Sequence, residues 1–213
     1  MNSKKKGSRF ELKVSKWFTE WTSFKFGRTP YSGANHQSRD LSSDIMCQDE
    51  RHAHRCKISV ECKNYKDIKF EHVLLGNKSC DILKFWEQAS KDAKRAKRVP
   101  ILCMRYNSMP SSEFFFVVGV KLGDIIAQYV TKVMYIQVPG NTLMVFMASE
   151  ILKVPYKMIH KQAKLIVKNQ DCLVELTVVT DTYLTAMERK QLSAVHSGIV
   201  AVIPEVKSGA TIS

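Results

Sequence analysis

The chain has 213 residues, with 33 Lys and Arg against 20 Asp and Glu, a formal charge of +13 at pH 7. A chain of that length can hide roughly 70% of its unfolded surface, so it needs no disulfide or metal staple to fold. The charge repels basic partners and attracts polyanions, nucleic acid before anionic membrane.

From residue 4 to about residue 26 the sequence predicts a helix, since Phe10, Val14, Trp17, Phe18, Trp21 and Phe24 recur at spacings of three and four. Gly27 is the expected stop, and "GRTPYSGANHQSRD" then reads as a loop. "SDIMCQ" and "CKISVECKN" predict two antiparallel strands around a polar turn, "DERHAHR". In the second strand Ile58, Val60 and Cys62 form an apolar face, and Ser59, Glu61 and Lys63 a polar one. A helix over residues 80–97 follows, with Ile82, Trp86, Ala89, Ala93 and Ala96 inward and a basic outer face, ended by Pro100. "ILCMRYN" and "EFFFVVGV" read as strands, "LGDIIAQYV" as a short helix, and "KVMYIQV" and "TLMVFMA" as strands joined by a Pro139-Gly140 turn. A last helix is expected over residues 183–196, and no internal repeat is present. The fold class is therefore α/β, a mixed central sheet flanked by helices. A core is expected over residues 1–107, with a C-terminal α/β extension over 108–213, separate or continuous with it.

No signal-peptide core follows the basic start, and the longest apolar run, "FFFVVGV", is far shorter than a membrane span. Scattered cysteines suit reduced thiols, so a cytoplasmic setting in a prokaryote or phage-infected cell is expected, or a nuclear one in a eukaryotic host. Cys80, Cys103 and Cys172 sit in apolar contexts and read as core.

Two constellations carry chemistry. Hydrolysis of a phosphodiester needs a hard cation, an activated water and a positive charge for the developing oxyanion. Glu61 and Lys63 share one strand face, the Cys62 carbonyl lies between them, and the hairpin returns Asp44 towards Glu61. Two carboxylates so close repel unless a cation or proton intervenes, an economical magnesium site. The other constellation is Cys47, His52, His54 and Cys56, whose spacing departs from that of zinc fingers. A zinc knuckle and an ordinary polar turn both remain open, the turn being preferred. Arg39, Arg51, Arg55, Lys57, Lys66 and Lys69, with Lys91, Lys94 and Arg95 of the helix, would suit phosphate tracking, interleaved with Tyr31, Tyr65 and Phe70.

"SDI" followed by "VECK" resembles the core of the PD-(D/E)XK nuclease superfamily. With "KGSRFE" on the first helix, "RTPYSGANHQSRDLSSDI", and "FWEQASKDAKRAKRVPILCMRYN" after it, residues 5–107 are similar to archaeal-type and phage Holliday-junction resolvases. The resemblance implies a restriction-endonuclease-like fold and a DNA endonuclease using Mg2+, with Mn2+ as a substitute. It implies in-line attack by a metal-activated water, leaving a 5′-phosphate. Asp44 and Glu61 would hold the metal with the Cys62 carbonyl and Glu11, Lys63 would orient water or the scissile phosphate, and Gln88 would assist. Arg28 and Ser32 would touch DNA. Ser43 stands where a proline often precedes the aspartate. Branched DNA, a homodimer and no membrane are the partners implied. The alternatives are a restriction- or repair-type nuclease on linear or single-stranded DNA, and a non-catalytic zinc-stabilised nucleic-acid-binding protein.

Overall fold

The computed structural model describes residues 3–29, 43–75, 80–138 and 141–180. Helix α1 (Ser3–Thr22) is followed by β1 (Phe26–Arg28), β2 (Ile45–Cys47), a 3-10 turn (Ala53–Arg55) and β3 (Ile58–Tyr65). Then come α2 (Glu71–Leu74), α3 (Asp81–Arg95), β4 (Val99–Tyr106), β5 (Phe115–Gly119) and α4 (Val120–Ala127). The chain continues through β6 (Met134–Val138), β7 (Asn141–Met147), α5 (Ala148–Ile151) and α6 (Tyr156–Thr180).

The strands form one sheet in the order β1-β2-β3-β4-β5-β7-β6. Among the described residues only β3 and β4 run parallel, from Ile58 against Val99 to Tyr65 against Tyr106, and the other pairs are antiparallel. A parallel pair needs a crossover, and α3 supplies it, laying Ile82, Phe85, Trp86 and Ala89 on one face of the sheet. The opposite face is sealed by α1, α4 and α6, where Phe18, Phe114, Phe116 and Phe146 are almost completely buried. Trp17 and Trp21 pack on Phe116 there, and Trp21 Nε1 donates to the Val154 carbonyl at 2.8 Å, tying α1 to the entry of α6. The architecture is α/β, a mixed sheet with helices on both faces, consistent with the restriction-endonuclease-like fold. Strands β5, β7 and β6 continue that same sheet beyond β4.

Several boundaries differ from expectation. The first helix ends at Thr22, not near residue 26, because Ser23 takes a left-handed φ of 61° and Thr22 Oγ1 accepts the Phe24 N–H. Phe24 then leaves the helix and stacks on His52 at 4.0 Å, and Phe26 enters the core from β1. Gly27 lies within β1, beyond the turn at Ser23 that ends α1, with the exposed Gln48 side chain against it. Lys97, with φ of 52°, follows α3, and Pro100 sits inside β4. The Val99 N–H points to Lys57 on the β3 side, so Pro100's missing donor faces β5, whose register begins only at Leu102. The long helix α6 lies ahead of the helix expected at 183–196, in a stretch for which no element is predicted. Residues 183–196 and the Pro139-Gly140 turn lie outside the described residues. Among the described residues, no helix is long and apolar enough to cross a membrane.

Candidate active site

The site forms where β2 and β3 part. Their register is confined to Ile45 against Val60, so the C-terminal half of β3 has β4 on one side and no β2 ladder on the other. Asp44 stands at that parting. Its N–H donates to the Val60 carbonyl at 3.1 Å and its carbonyl accepts the Thr29 N–H at 2.9 Å, which fixes its backbone between β1 and β3. Its carboxylate replaces the missing strand, with Oδ2 accepting the Cys62 N–H at 2.8 Å. In a strand, a residue's N–H and C=O leave on the same side, so the Cys62 carbonyl also points towards Asp44.

Glu61 and Lys63 alternate onto the face beneath α3. Far from being solvent-facing, Glu61 is 5% exposed. Gln88 of α3 closes a three-way network: its Nε2 donates to Glu61 Oε1 at 2.9 Å, and Lys63 Nζ donates to its Oε1 at 2.9 Å. Lys63 Nζ also reaches Glu61 Oε1 at 2.9 Å. Burial pushes the Asp44 carboxyl up to about 6 against the pull of the Cys62 N–H, and the nearby Glu11 charge adds to the rise. Burial, then the Asp44 charge, pushes Glu61 up to about 7. Desolvation works against the charge on Lys63, but Glu61 and Asp44 outweigh it and hold the amine above its ordinary range, so it stays cationic.

Glu11 comes within electrostatic reach of Asp44, while its Oε2 is held by Arg28 Nε at 2.6 Å. Arg28 also reaches Ser8 Oγ at 3.2 Å, so the two residues assigned to metal and to DNA are paired with each other. Lys66, Lys91, Lys94 and Arg95 are exposed, with Arg95 bonded to Asp92 at 3.1 Å. Ser32, Arg39 and Tyr31 lie outside the described residues. Ser43 is buried and its hydroxyl donates to the Ile45 carbonyl at 3.1 Å, closing the turn into β2.

The Cys and His cluster resolves into a different object. His54 is exposed and its Nε2 accepts from Arg55 Nε at 3.0 Å, away from the others. His52 is buried, with its Nε2 2.8 Å from the Tyr156 hydroxyl, and Cys47 and Cys56 share a thiol hydrogen bond beside that hydroxyl. Among the described residues, no group of three or more His, Cys, Asp or Glu side chains is placed to hold a metal ion. Tyr156 comes from α6, 104 residues from His52, so nothing local in the sequence could signal this knot.

A family model described as phage putative PDDEXK endonuclease matches residues 2–163. The chain belongs to that family. Protein D14 of Escherichia phage T5 is 30% identical over 105 residues, which is 49% of this chain and 65% of that protein. The match therefore spans just under two thirds of that relative's length. No solved structure matches the chain.

PD-(D/E)XK nucleases generally use divalent metals, and this site fits one. Burial raises both carboxyls and the Asp44 charge raises Glu61 further, and a cation between them would remove the conflict. Asp44 and Glu61 each have a second oxygen to offer, and the Cys62 carbonyl points the same way. An all-oxygen donor set of this kind suits a hard ion.

Proposed function

We propose that this chain is a Mg2+-dependent DNA endonuclease, with Mn2+ as a working substitute, whose substrate is branched DNA such as a four-way junction. The observation that carries the metal-dependent reading is the meeting of Asp44, Glu61, Lys63 and Gln88 where β2 and β3 diverge. A divalent ion held by Asp44, Glu61 and the Cys62 carbonyl would polarise the scissile phosphate and make a neighbouring water acidic. The chain's own groups do the rest. Lys63, kept cationic, neutralises charge as it grows on the phosphate oxygen. Gln88 holds Lys63 and Glu61 at a fixed separation, so neither must reorganise when substrate arrives. The net charge of +13 supports a polyanionic substrate. The branched-DNA reading and a homodimer rest on the resemblance of residues 5–107 to junction resolvases, which cut two strands symmetrically.

The experiment compares cleavage of four-way junction, flap, duplex and single-stranded DNA, each with Mg2+, Mn2+ or chelator, by the native chain and a Glu61→Ala variant. Metal-dependent cleavage that favours the junction and vanishes in the variant is expected. Equal cleavage of all four DNAs would discard the junction reading in favour of a less selective nuclease. Undiminished cleavage by Glu61→Ala would discard the site.

A further inference from the structure

On β3, Glu61, Lys63 and Tyr65 follow one another at two-residue steps, so all three rise from the same face. Tyr65 therefore stands roughly 7 Å along the strand from Lys63. Glu61 is buried and Lys63 half-buried, but Tyr65 is 43% exposed, which sets an aromatic ring at the open end of the row.

That ring is held in place. It packs on Phe85 of α3 with centroids 4.7 Å apart, and Lys63 Nζ lies 5.5 Å from the centre of the same Phe85 ring. One buried phenyl thus positions both the amine and the tyrosine. Main-chain ties complete the mount: Tyr65 pairs in register with Tyr106, and its carbonyl accepts from Lys6 Nζ at 3.0 Å. The lysines nearest in sequence, Lys66 and Lys69, are both exposed. A fixed, half-open aromatic ring next to the Lys63 amine on one strand face is the pattern by which proteins take single-stranded nucleic acid, bases on the rings and phosphates on the amines. A base inside an intact duplex is already stacked on both faces and cannot use such a ring without being extruded.

We infer that Tyr65 is a base-stacking residue that takes an unpaired nucleobase next to the scissile phosphate, making unpaired nucleotides at the cut the feature this site selects. The inference rests on the nuclease reading above and deepens it. It explains how one subunit could tell a branch point or flap from plain duplex with no base-reading helix. Paired DNA presents only phosphates to Lys63 and its neighbours. DNA with a free base beside the cut gains the stack as well.

The test uses the full chain and two DNAs of identical sequence, one fully paired and one with unpaired nucleotides at the cut, with 2-aminopurine as the flanking base. Stacking is worth about five- to 150-fold in binding per base. Tyr65→Ala and Tyr65→Leu should lower the kcat/KM ratio of unpaired over paired DNA by about that factor. Tyr65→Phe should hold the ratio. Leucine keeps apolar packing on Phe85 without an aromatic face, so a fold defect in the alanine variant does not decide the matter. In chelator, where no cleavage is needed, the native chain should quench 2-aminopurine emission from the unpaired DNA and Tyr65→Leu should not. An unchanged ratio together with equal quenching by Tyr65→Leu and native protein would overturn the inference, leaving metal-dependent cleavage untouched. Tyr65-dependent quenching without cleavage would support the stack while discarding the nuclease reading.

Discussion

Replacing Glu61 by glutamine should stabilise the metal-free protein at pH 8 even as it abolishes cleavage. Glu61 is 5% exposed, and burial with the facing Asp44 charge moves its pKa from the ordinary 4.5 to about 7. That difference puts about 3 kcal/mol on the ionised form. The folded state binds the extra proton between those two values, so the stability linked to Glu61 is fully present below 4.5 and lost as pH rises through about 7. Glutamine imitates the protonated carboxyl at every pH. The value of about 7 already contains the opposing pull of Lys63, so the net gain at pH 8 is about 3 kcal/mol. For a chain of this size that is about 6–12 °C in Tm. Thermal melts of both proteins in chelator, at intervals from pH 5 to pH 8, measure the difference directly. His52 and His160, whose pKa values burial pushes down, titrate in both proteins and cancel. Magnesium added at pH 8 should raise the Tm of the native protein more than that of the variant. A variant that melts below the native chain at pH 8, or a difference that does not change with pH, would refute the buried-carboxylate account of the site.

Two more outcomes follow from the same geometry. Lys63→Met should reduce single-turnover cleavage by about 10²- to 10³-fold, the loss typical of one oxyanion-stabilising donor, with DNA affinity by filter binding changing only a few-fold. Tyr156→Phe removes the hydroxyl that meets His52 at 2.8 Å, and should cost about 1 kcal/mol in denaturant unfolding; no loss of stability would mean that the buried knot is not holding α6.

Reading the chain as a sequence went furthest where periodicity and chemistry agreed. The alternation around Glu61 named both faces of β3, whereas the apolar stripe of α3 put Gln88 on the outer, basic side, and only the family resemblance turned it towards the site where it bonds Glu61. Parallel pairing between β3 and β4 was not legible, because a strand's direction relative to its neighbour leaves no trace in its own residues. The spacing of Phe24 and Phe26 continued the first helix on paper, and only the left-handed turn at Ser23 breaks it. Helix α6 carries a stripe of Ile159, Ala163, Ile166 and Val167 at helical spacing, legible in the sequence though no helix is predicted there. The engagement of Glu11 by Arg28 was invisible because both were assigned separately, one to metal and one to DNA, with no means of seeing them as partners 17 residues apart.

The parting of β2 from β3 also says which positions of the Glu-Cys-Lys triplet are free to drift. Cys62 serves through its main chain alone: its N–H steadies Asp44 and its carbonyl faces the same gap. Its side chain turns the other way, half-buried against the core beside Cys103. Among relatives, the middle letter should therefore vary with whatever the neighbouring core can accommodate, blind to catalysis. Proline is the exception, since without an N–H it would strip Asp44 of its anchor. In that sense the "x" of the motif is a position constrained by the shape of its backbone, and the identity of its side chain is left to the packing behind it.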